Sequence, residues 1–338
     1  AGGTPMGLYL DSNLVSVKAT TLTPEQIEAW AQRGEKGDKA ANYDNSVSMF
    51  LQAPGWRDYL AGRYASLARD IGPCGFYIDE LGGSLPEHVH YTSRHGLVTP
   101  VPPTRGERQM LEQVRGALPP STALYTEFYP PDTFLPFTDG AFSYLLMMRY
   151  KGREAFWTPG RDGEKSSDVV APHYLNLMRF AFPDVKTFHM VYSTPLENGN
   201  WFLLRYPFFN GDGQYLKAET RDHIDPAARA FYRKTLALQH AHADAFTSPD
   251  VEPLAPTQHP DLYANRFGTP NKTVWTLLNA GYHTLRGPLL VVAHRPGARY
   301  VDAWTGQPMA AKIRGRRAEL SFAIGPRAVG CLVQEKPR

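Results

Sequence analysis

A pattern of small residue, tyrosine and carboxylate, each two positions apart, constrains the fold of this chain more than any other feature. It occurs in residues 7–11 (Gly-Leu-Tyr-Leu-Asp), 75–79 (Gly-Phe-Tyr-Ile-Asp) and 123–127 (Ala-Leu-Tyr-Thr-Glu). Side chains of a β-strand alternate between two faces, so these three side chains share one face of each segment. The pattern therefore predicts three strands, each with a carboxylate at its C-terminal end.

Helical signals separate these strands. Thr23 as N-cap, Pro24 in the first turn and Gln26 at the capping-box position predict a helix start. Strands that alternate with helices favour a parallel sheet with helical crossovers, and hence an α/β fold of the (β/α)8 TIM-barrel type. The crossover between 127 and 141 is expected to be irregular. The further predicted elements are helices at 56–70, 104–118, 168–180, 200–205 and 225–246, and strands at 141–147, 186–192 and 206–210.

The pattern changes after residue 247. Residues 248–261 contain four prolines and predict a linker between domains. Beyond it, short strands between glycine and proline turns predict a small antiparallel β-sandwich over 262–338. Residues 1–247 are then the barrel domain. The six predicted strands of the sandwich are 263–267, 273–279, 289–294, 299–304, 318–324 and 328–334.

Composition excludes several classes of protein. With 36 basic and 33 acidic side chains, the net charge of +3 gives no generic nucleic-acid surface. No apolar run approaches the length of a membrane span. Glycine-rich phosphate loops are absent, so no nucleotide cofactor is expected.

The two cysteines, Cys74 and Cys331, are both predicted to be buried thiols, because each lies in an apolar stretch.

The phased carboxylates indicate a chemistry. Barrel enzymes work at the C-terminal ends of their strands, where Asp79 and Glu127 would end two consecutive strands. Neighbouring strands lie about 4.8 Å apart, so the two carboxyl groups are expected about 5–5.5 Å from each other, the separation found in retaining glycosidases. Asp11 would point into the same cavity, although a strand-end acid often binds loop amides instead. Glu80, on the other face, is expected in a salt bridge at the rim.

Several stretches resemble a mostly uncharacterised glycoside-hydrolase-like barrel family, distantly similar to endo-α-N-acetylgalactosaminidases and the α-amylase superfamily. The resemblance implies a retaining glycosidase with Asp79 as nucleophile and Glu127 as acid/base. Two departures argue against an amylase in the strict sense: Tyr77 stands where amylases carry an arginine, and residues 192–195 replace a His-Asp pair. The resemblance rests on residues 75–82 (Gly-Phe-Tyr-Ile-Asp-Glu-Leu-Gly), 125–129 (Tyr-Thr-Glu-Phe-Tyr), 208–213 (Phe-Phe-Asn-Gly-Asp-Gly), 263–267 (Tyr-Ala-Asn-Arg-Phe) and 301–304 (Val-Asp-Ala-Trp).

The family numbering makes residues 7–11 the third barrel strand. The chain would then supply strands three to eight, and residues 7–11 would be an unpaired sheet edge, which natural proteins avoid. We therefore expect the sequence to be the C-terminal part of a longer protein. Its compartment stays open, with a secreted or periplasmic location compatible with a missing N-terminus.

Other polar residues after the strands are candidate contacts to an oligosaccharide or glycoconjugate substrate. The candidates are Tyr9, Asp11, Tyr77, His95, Arg149, Asn210 and Asp212. No metal site is predicted. Two alternatives to a retaining glycosidase stay open: a catalytically inactive carbohydrate-binding protein, and a metal-dependent hydrolase that uses His88, His90 and His95.

Overall fold

The computed structural model describes residues 6–41, 45–82, 89–91, 100–143, 175–191, 202–216 and 226–336. The chain divides into two compact units, Ala1–Ser143 and Tyr144–Arg338. No helix in these described ranges combines the length and the apolar character needed to cross a membrane.

The first unit contains four parallel strands connected through helices. The four strands lie side by side in the order β1, β4, β5, β6. A short antiparallel pair, β2 with β3, follows β1 and was absent from the predicted elements. The elements are β1 (Gly7–Asp11), β2 (Leu14–Ser16), α1 (Pro24–Trp30), β3 (Ser46–Ser48), α2 (Pro54–Ile71), β4 (Gly75–Asp79), α3 (Thr104–Ala117), β5 (Ala123–Thr126), a 3-10 helix (Asp132–Phe137) and β6 (Gly140–Ser143).

Local sequence accounts for much of this unit. The capping box at Thr23 is confirmed, since the Thr23 hydroxyl accepts from the Gln26 amide at 3.2 Å and the Gln26 side chain accepts from the Thr23 amide at 2.8 Å. The apolar residues at the alternate positions of β4 and β5, Phe76, Ile78 and Leu124, are fully buried in the core that α2 and α3 also line. The opposite face of the strands is thus left to the tyrosines and carboxylates.

The second unit joins two further parallel strands to an antiparallel β-sandwich. β7 pairs with β8 in parallel. A six-stranded sheet has the order β14, β13, β17, β11, β10, β9, and a three-stranded sheet has the order β12, β16, β15. The elements are α4 (Leu177–Ala181), β7 (Lys186–Val191), α5 (Phe202–Asn210), β8 (Gly213–Leu216), α6 (Pro226–Ala241), α7 (Ala243–Phe246), β9 (Val251–Glu252), β10 (Leu262–Gly268), β11 (Lys272–Asn279), β12 (Leu285–Ala293), β13 (Arg299–Asp302), β14 (Gln307–Met309), β15 (Ala311–Arg314), β16 (Arg317–Ile324) and β17 (Val329–Glu335).

The larger sheet of the sandwich is covered on both faces. Along β11, Val274 and Leu278 pack against α5 and its neighbours, whereas Trp275 and Leu277 pack toward the smaller sheet. This places the predicted linker at 248–261 inside the second unit, because α5 to α7 pack on the sandwich and not only on the parallel strands.

Two predictions about local structure are corrected. Residues 206–210 are not a strand but the end of α5, and the strand lies later, at Gly213–Leu216. A run of apolar residues this short shows no clear periodicity, so its sequence does not distinguish a strand from a buried helix. Cys331 is buried as predicted, and burial raises the pKa of its thiol, but Cys74 is exposed.

The predicted barrel is present only in part. Four parallel strands lie in the first unit and two in the second, and the described strands do not close into a barrel. Within the described ranges β1 pairs with β4 in the parallel sheet and with no second strand, so it is an edge.

Candidate active site

The three repeated segments lie side by side in register. The parallel pairing forms a row of small residues and a row of tyrosines, and Asp11 pairs with Asp79 at the C-terminal end. Glu127 follows directly after β5, and its backbone amide donates to the Ile78 carbonyl at 3.0 Å, which extends the pairing by one residue. The aligned rows are Gly7, Gly75 and Ala123, then Tyr9, Tyr77 and Tyr125, then Asp11, Asp79 and Glu127.

Close packing of strands requires a glycine in the first row. A Cβ atom at Gly75 would lie 2.8 Å from the Ala123 carbonyl oxygen, closer than real contacts allow. Glycine at this position therefore keeps β4 and β5 at pairing distance and allows the two following rows to align.

Two tyrosine hydroxyls bind the Asp79 carboxylate. The Tyr9 hydroxyl donates to Oδ2, and the Tyr77 hydroxyl donates to Oδ1 at 3.3 Å. The rings of Tyr9 and Tyr77 stack with centroids 5.3 Å apart, and Phe142 meets the Tyr77 ring edge-on at 4.6 Å. Asp79 is half-buried at the end of β4, and the two hydroxyls hold its carboxylate in place.

Glu127 is oriented by the turn that follows β4. The Glu80 backbone amide donates to Glu127 Oε2 at 2.5 Å, and Asn13 Nδ2 donates to the Glu80 carbonyl at 3.0 Å. Glu80 adopts φ of 54°, an unusual conformation for a residue other than glycine. The predicted rim position of Glu80 is wrong, since its side chain is buried. The turn thus links Asp79, Glu80 and Glu127 into one structural group.

Asp11 caps the loop after β1. Its Oδ1 accepts from the amides of Asn13 at 2.7 Å and Leu14 at 3.0 Å, the loop-amide role that strand-end acids commonly take. The pKa of the Asp11 carboxyl is raised to about 7, because burial and the negative charges of Glu80 and Asp79 together outweigh the lowering effect of the two amides. One oxygen of Asp11 is therefore occupied by the protein backbone.

This raised pKa predicts how stability depends on pH. The folded-state pKa of about 7 lies above the ordinary value of 3.8, so the stability contributed by protonated Asp11 is present below about pH 4 and is lost as the pH rises through about 7. Asp11→Asn removes the charge but keeps an oxygen acceptor for the two amides. We expect it to raise the free energy of unfolding at pH 8 by up to about 4 kcal/mol and to change it little at pH 4.

Urea denaturation of wild type and variant across this range measures the effect. Asp132→Asn, at an exposed position of the same unit, is the matched control. An Asp11→Asn difference that is the same at every pH would show that this carboxyl does not titrate as described.

Asn210 and Asp212 lie in the second unit and are buried in a polar network. Asp212 Oδ2 accepts from Asn176 Nδ2 at 2.9 Å and bonds to His189 Nε2 at 2.8 Å, and its Oδ1 lies 4.0 Å from Arg179 Nε. Asn210 Oδ1 accepts from the Asn176 backbone amide. The hydrogen bonds of Asn210 and Asp212 connect helices and strands of this unit. Both residues are at most 1% exposed, so their position does not support the predicted contact with sugar.

The loop residues give little further information. His95 and Arg149, predicted to contact substrate, lie outside the described residues, as does His88. His90 is described and is buried: its Nδ1 accepts from the Arg33 amide at 3.1 Å and its ring stacks on Phe50.

Two residues of the site were absent from the sequence prediction. Phe142 packs against Tyr77, and its spacing from Gly140 repeats the small-residue and aromatic pattern without a carboxylate. Asn13 supports the Glu80 turn, and only its position two residues after a strand-end aspartate could have indicated a role in a loop.

Comparison with known proteins identifies the fold. No protein-family model matches the chain, and no curated protein sequence does. Solved structures match over nearly its whole length. An α-amylase from Anoxybacillus is 12% identical with a TM-score of 0.61, and the match covers 98% of this chain and 76% of that one.

Two further structures give the same result. A maltogenic α-amylase from Thermotoga neapolitana is 12% identical with a TM-score of 0.60, covering 97% of this chain and 76% of that one. An α-amylase from Geobacillus thermoleovorans is 11% identical with a TM-score of 0.61, covering 98% and 77%. The chain therefore has a fold similar to that of these α-amylases.

Proposed function

We propose that this protein is a retaining glycoside hydrolase that acts on α-linked sugars, with Asp79 as nucleophile and Glu127 as acid and base. The observation that carries the proposal is the Asp79 carboxylate, bound by two hydroxyls at the end of β4, with Glu127 in the same row directly after the neighbouring strand β5. Two carboxylates at the C-terminal ends of neighbouring parallel strands are the groups that this reaction needs.

The proposed reaction has two steps. In the first, an Asp79 oxygen attacks the anomeric carbon and forms an ester, while the bond to the leaving oxygen breaks and that oxygen takes a proton from Glu127. In the second, Glu127 removes a proton from water, the water oxygen attacks the anomeric carbon, and Asp79 is released. Two inversions at one carbon retain its configuration, and the chemistry needs no cofactor.

The substrate class is supported by what the structural neighbours bind. The Geobacillus α-amylase was solved with acarbose, and a further neighbour, AmyP, with maltose at a TM-score of 0.51. We accordingly propose an oligosaccharide or glycoconjugate with an α-linked sugar as substrate. The similarity to endo-α-N-acetylgalactosaminidases remains part of this proposal, and includes α-linked N-acetylgalactosamine among the sugars to test.

A panel of aryl α- and β-glycosides tests the proposal directly. We expect release of the aryl group from at least one α-glycoside and from none of the matched β-glycosides. Proton NMR of the first product formed should show the α-anomer, because the mechanism retains configuration. A β-anomer as first product would indicate an inverting enzyme and would contradict the assignment of Asp79.

A carbohydrate-binding protein without activity is the second candidate, and two features favour it. Both oxygens of Asp79 are already bound by hydroxyls, and Tyr9 is 63% exposed, so that a sugar could stack on its ring. Binding of α-glycosides in calorimetry, together with the absence of turnover across the whole panel, would support this candidate over the enzyme.

A further inference from the structure

We propose that Tyr9 and Tyr77 are positioning residues that hold the Asp79 carboxylate correctly aimed by means of two neutral hydroxyl donors. This inference rests on the proposed role of Asp79 as nucleophile. The geometry is specific, since each tyrosine donates to a different oxygen of the same carboxylate, one from the neighbouring strand and one from two residues earlier on the same strand.

The charges around Asp79 explain why such donors are needed. In the described part of the chain no lysine or arginine pairs with Asp79. Among the described residues, its titratable neighbours in the site are the two tyrosines and the carboxyl groups of Asp11, Glu80 and Glu127. Like charges disfavour an ionised carboxylate, whereas hydrogen bonds to the ionised form favour it. Two hydroxyl donors thus stabilise the negative charge that a cation would otherwise stabilise.

The two tyrosines differ in freedom to move. Tyr77 is held between the stacked Tyr9 ring and the edge-on Phe142 ring. Tyr9 lies on the edge strand β1 and is the more exposed of the two. An arriving sugar can therefore displace the Tyr9 hydroxyl from Asp79, while Tyr77 continues to hold the other oxygen. We expect Tyr77→Phe to lower kcat more than Tyr9→Phe, and Tyr9→Phe to change KM more than Tyr77→Phe.

The hydroxyl of Tyr9 provides a measurement that does not depend on activity. Partial burial raises the pKa of Tyr9 above its ordinary value although much of the residue is exposed, and the hydrogen bond to Asp79 and the charges of Asp79, Asp11 and Glu127 act in the same direction. Asp79→Asn removes the charge that the hydroxyl faces. The pKa of Tyr9 should then fall.

The experiment is a pH titration followed by NMR of protein labelled with 13C at the tyrosine Cζ, with Tyr9→Phe used to assign the signal. We expect the Tyr9 signal in wild type to stay in the protonated position above the ordinary range of a tyrosine, and its midpoint to fall by at least about one pH unit in Asp79→Asn. The signal of Tyr282, an exposed tyrosine in the second unit, should not respond to Asp79→Asn. Circular dichroism over the same range verifies that both proteins remain folded.

The pH profile of kcat/KM on the best substrate of the panel gives the second measurement. Loss of either hydroxyl should move the midpoint of the acidic limb upward by about one pH unit, which is a tenfold loss of kcat/KM below that midpoint. Tyr125→Phe is the matched control, because Tyr125 lies in the same row but the Asp79 hydrogen bonds come from Tyr9 and Tyr77. Its acidic limb should remain where the wild-type limb is.

The two measurements separate failure of this inference from failure of the proposed function. A wild-type protein with no turnover on any glycoside would overturn the hydrolase, while the NMR titration would still decide whether Tyr9 binds Asp79. A Tyr9 midpoint that is the same in wild type and Asp79→Asn would overturn the positioning role, whatever the activity. Equal shifts of the acidic limb in Tyr125→Phe and Tyr9→Phe would also overturn it.

Discussion

Asp79→Asn is expected to reduce turnover of the best α-glycoside by at least about 10³-fold, because the amide cannot form the glycosyl ester on which the proposed mechanism depends. The substitution preserves shape and leaves one oxygen to accept a tyrosine hydroxyl, so the fold should be retained. Steady-state kinetics with an aryl α-glycoside measures the loss, and thermal unfolding of both proteins verifies that they are folded.

Asp11→Asn is the matched comparison for this prediction. Asp11 ends the neighbouring strand in the same row, but one of its oxygens is bound to the amides of Asn13 and Leu14. Its substitution should therefore cost far less activity than that of Asp79, at most about tenfold. If Asp79→Asn keeps near-normal turnover, or if Asp11→Asn is the more damaging variant, Asp79 is not the nucleophile.

The loss of turnover in Glu127→Gln is expected to depend on how much the leaving group of the substrate needs a proton. For alkyl or sugar leaving groups the loss should be about 10²–10⁴-fold, since the acid is gone. For dinitrophenyl glycosides the first step should be nearly unimpaired, and a burst of dinitrophenol should precede slow turnover because the second step lacks its base. Glutamine still accepts from the Glu80 amide, so the turn after β4 keeps its geometry.

Azide distinguishes the two carboxylates. In Glu127→Ala, azide can attack the glycosyl ester from the vacated side, which should restore turnover and give a glycosyl azide of retained configuration. In Asp79→Ala, azide would instead take the place of the nucleophile and give the inverted product. Rescue with inversion in Glu127→Ala would exchange the two roles, and absence of any rescue in either variant would argue against the mechanism.

The sequence predicted the alignment of the three repeated segments because strand geometry has a simple period. Small residue, tyrosine and carboxylate two positions apart must share a face, and three such segments in successive parallel strands align when glycine or alanine permits close approach. The capping box at Thr23 and most strands of the sandwich were also predicted, since their signals lie within a few neighbouring residues.

Residues 206–213 show where such reasoning fails. Their aromatic and glycine pattern is equally compatible with a strand and a turn or with a buried helix, and the choice of helix depends on what covers it. Asn265 and Thr276, more than 50 residues later, both donate to the Phe209 carbonyl in the last turn of α5. These long-range bonds and the burial around Leu204 and Phe208 favour the helix and bring Asp212 into the protein interior, away from solvent.

The sequence alone therefore determined which residues share a face, because that depends on backbone periodicity, and it determined the positions of Asp79 and Glu127 at strand ends. Tertiary structure decided which of the carboxylates have partners. The Tyr9 hydroxyl reaches Asp79 across 70 residues of chain, the turn at Glu80 orients Glu127, and Asp212 is enclosed by Asn176 and His189. Hydrogen bonding and burial depend on neighbours in space, which no local pattern of residues encodes.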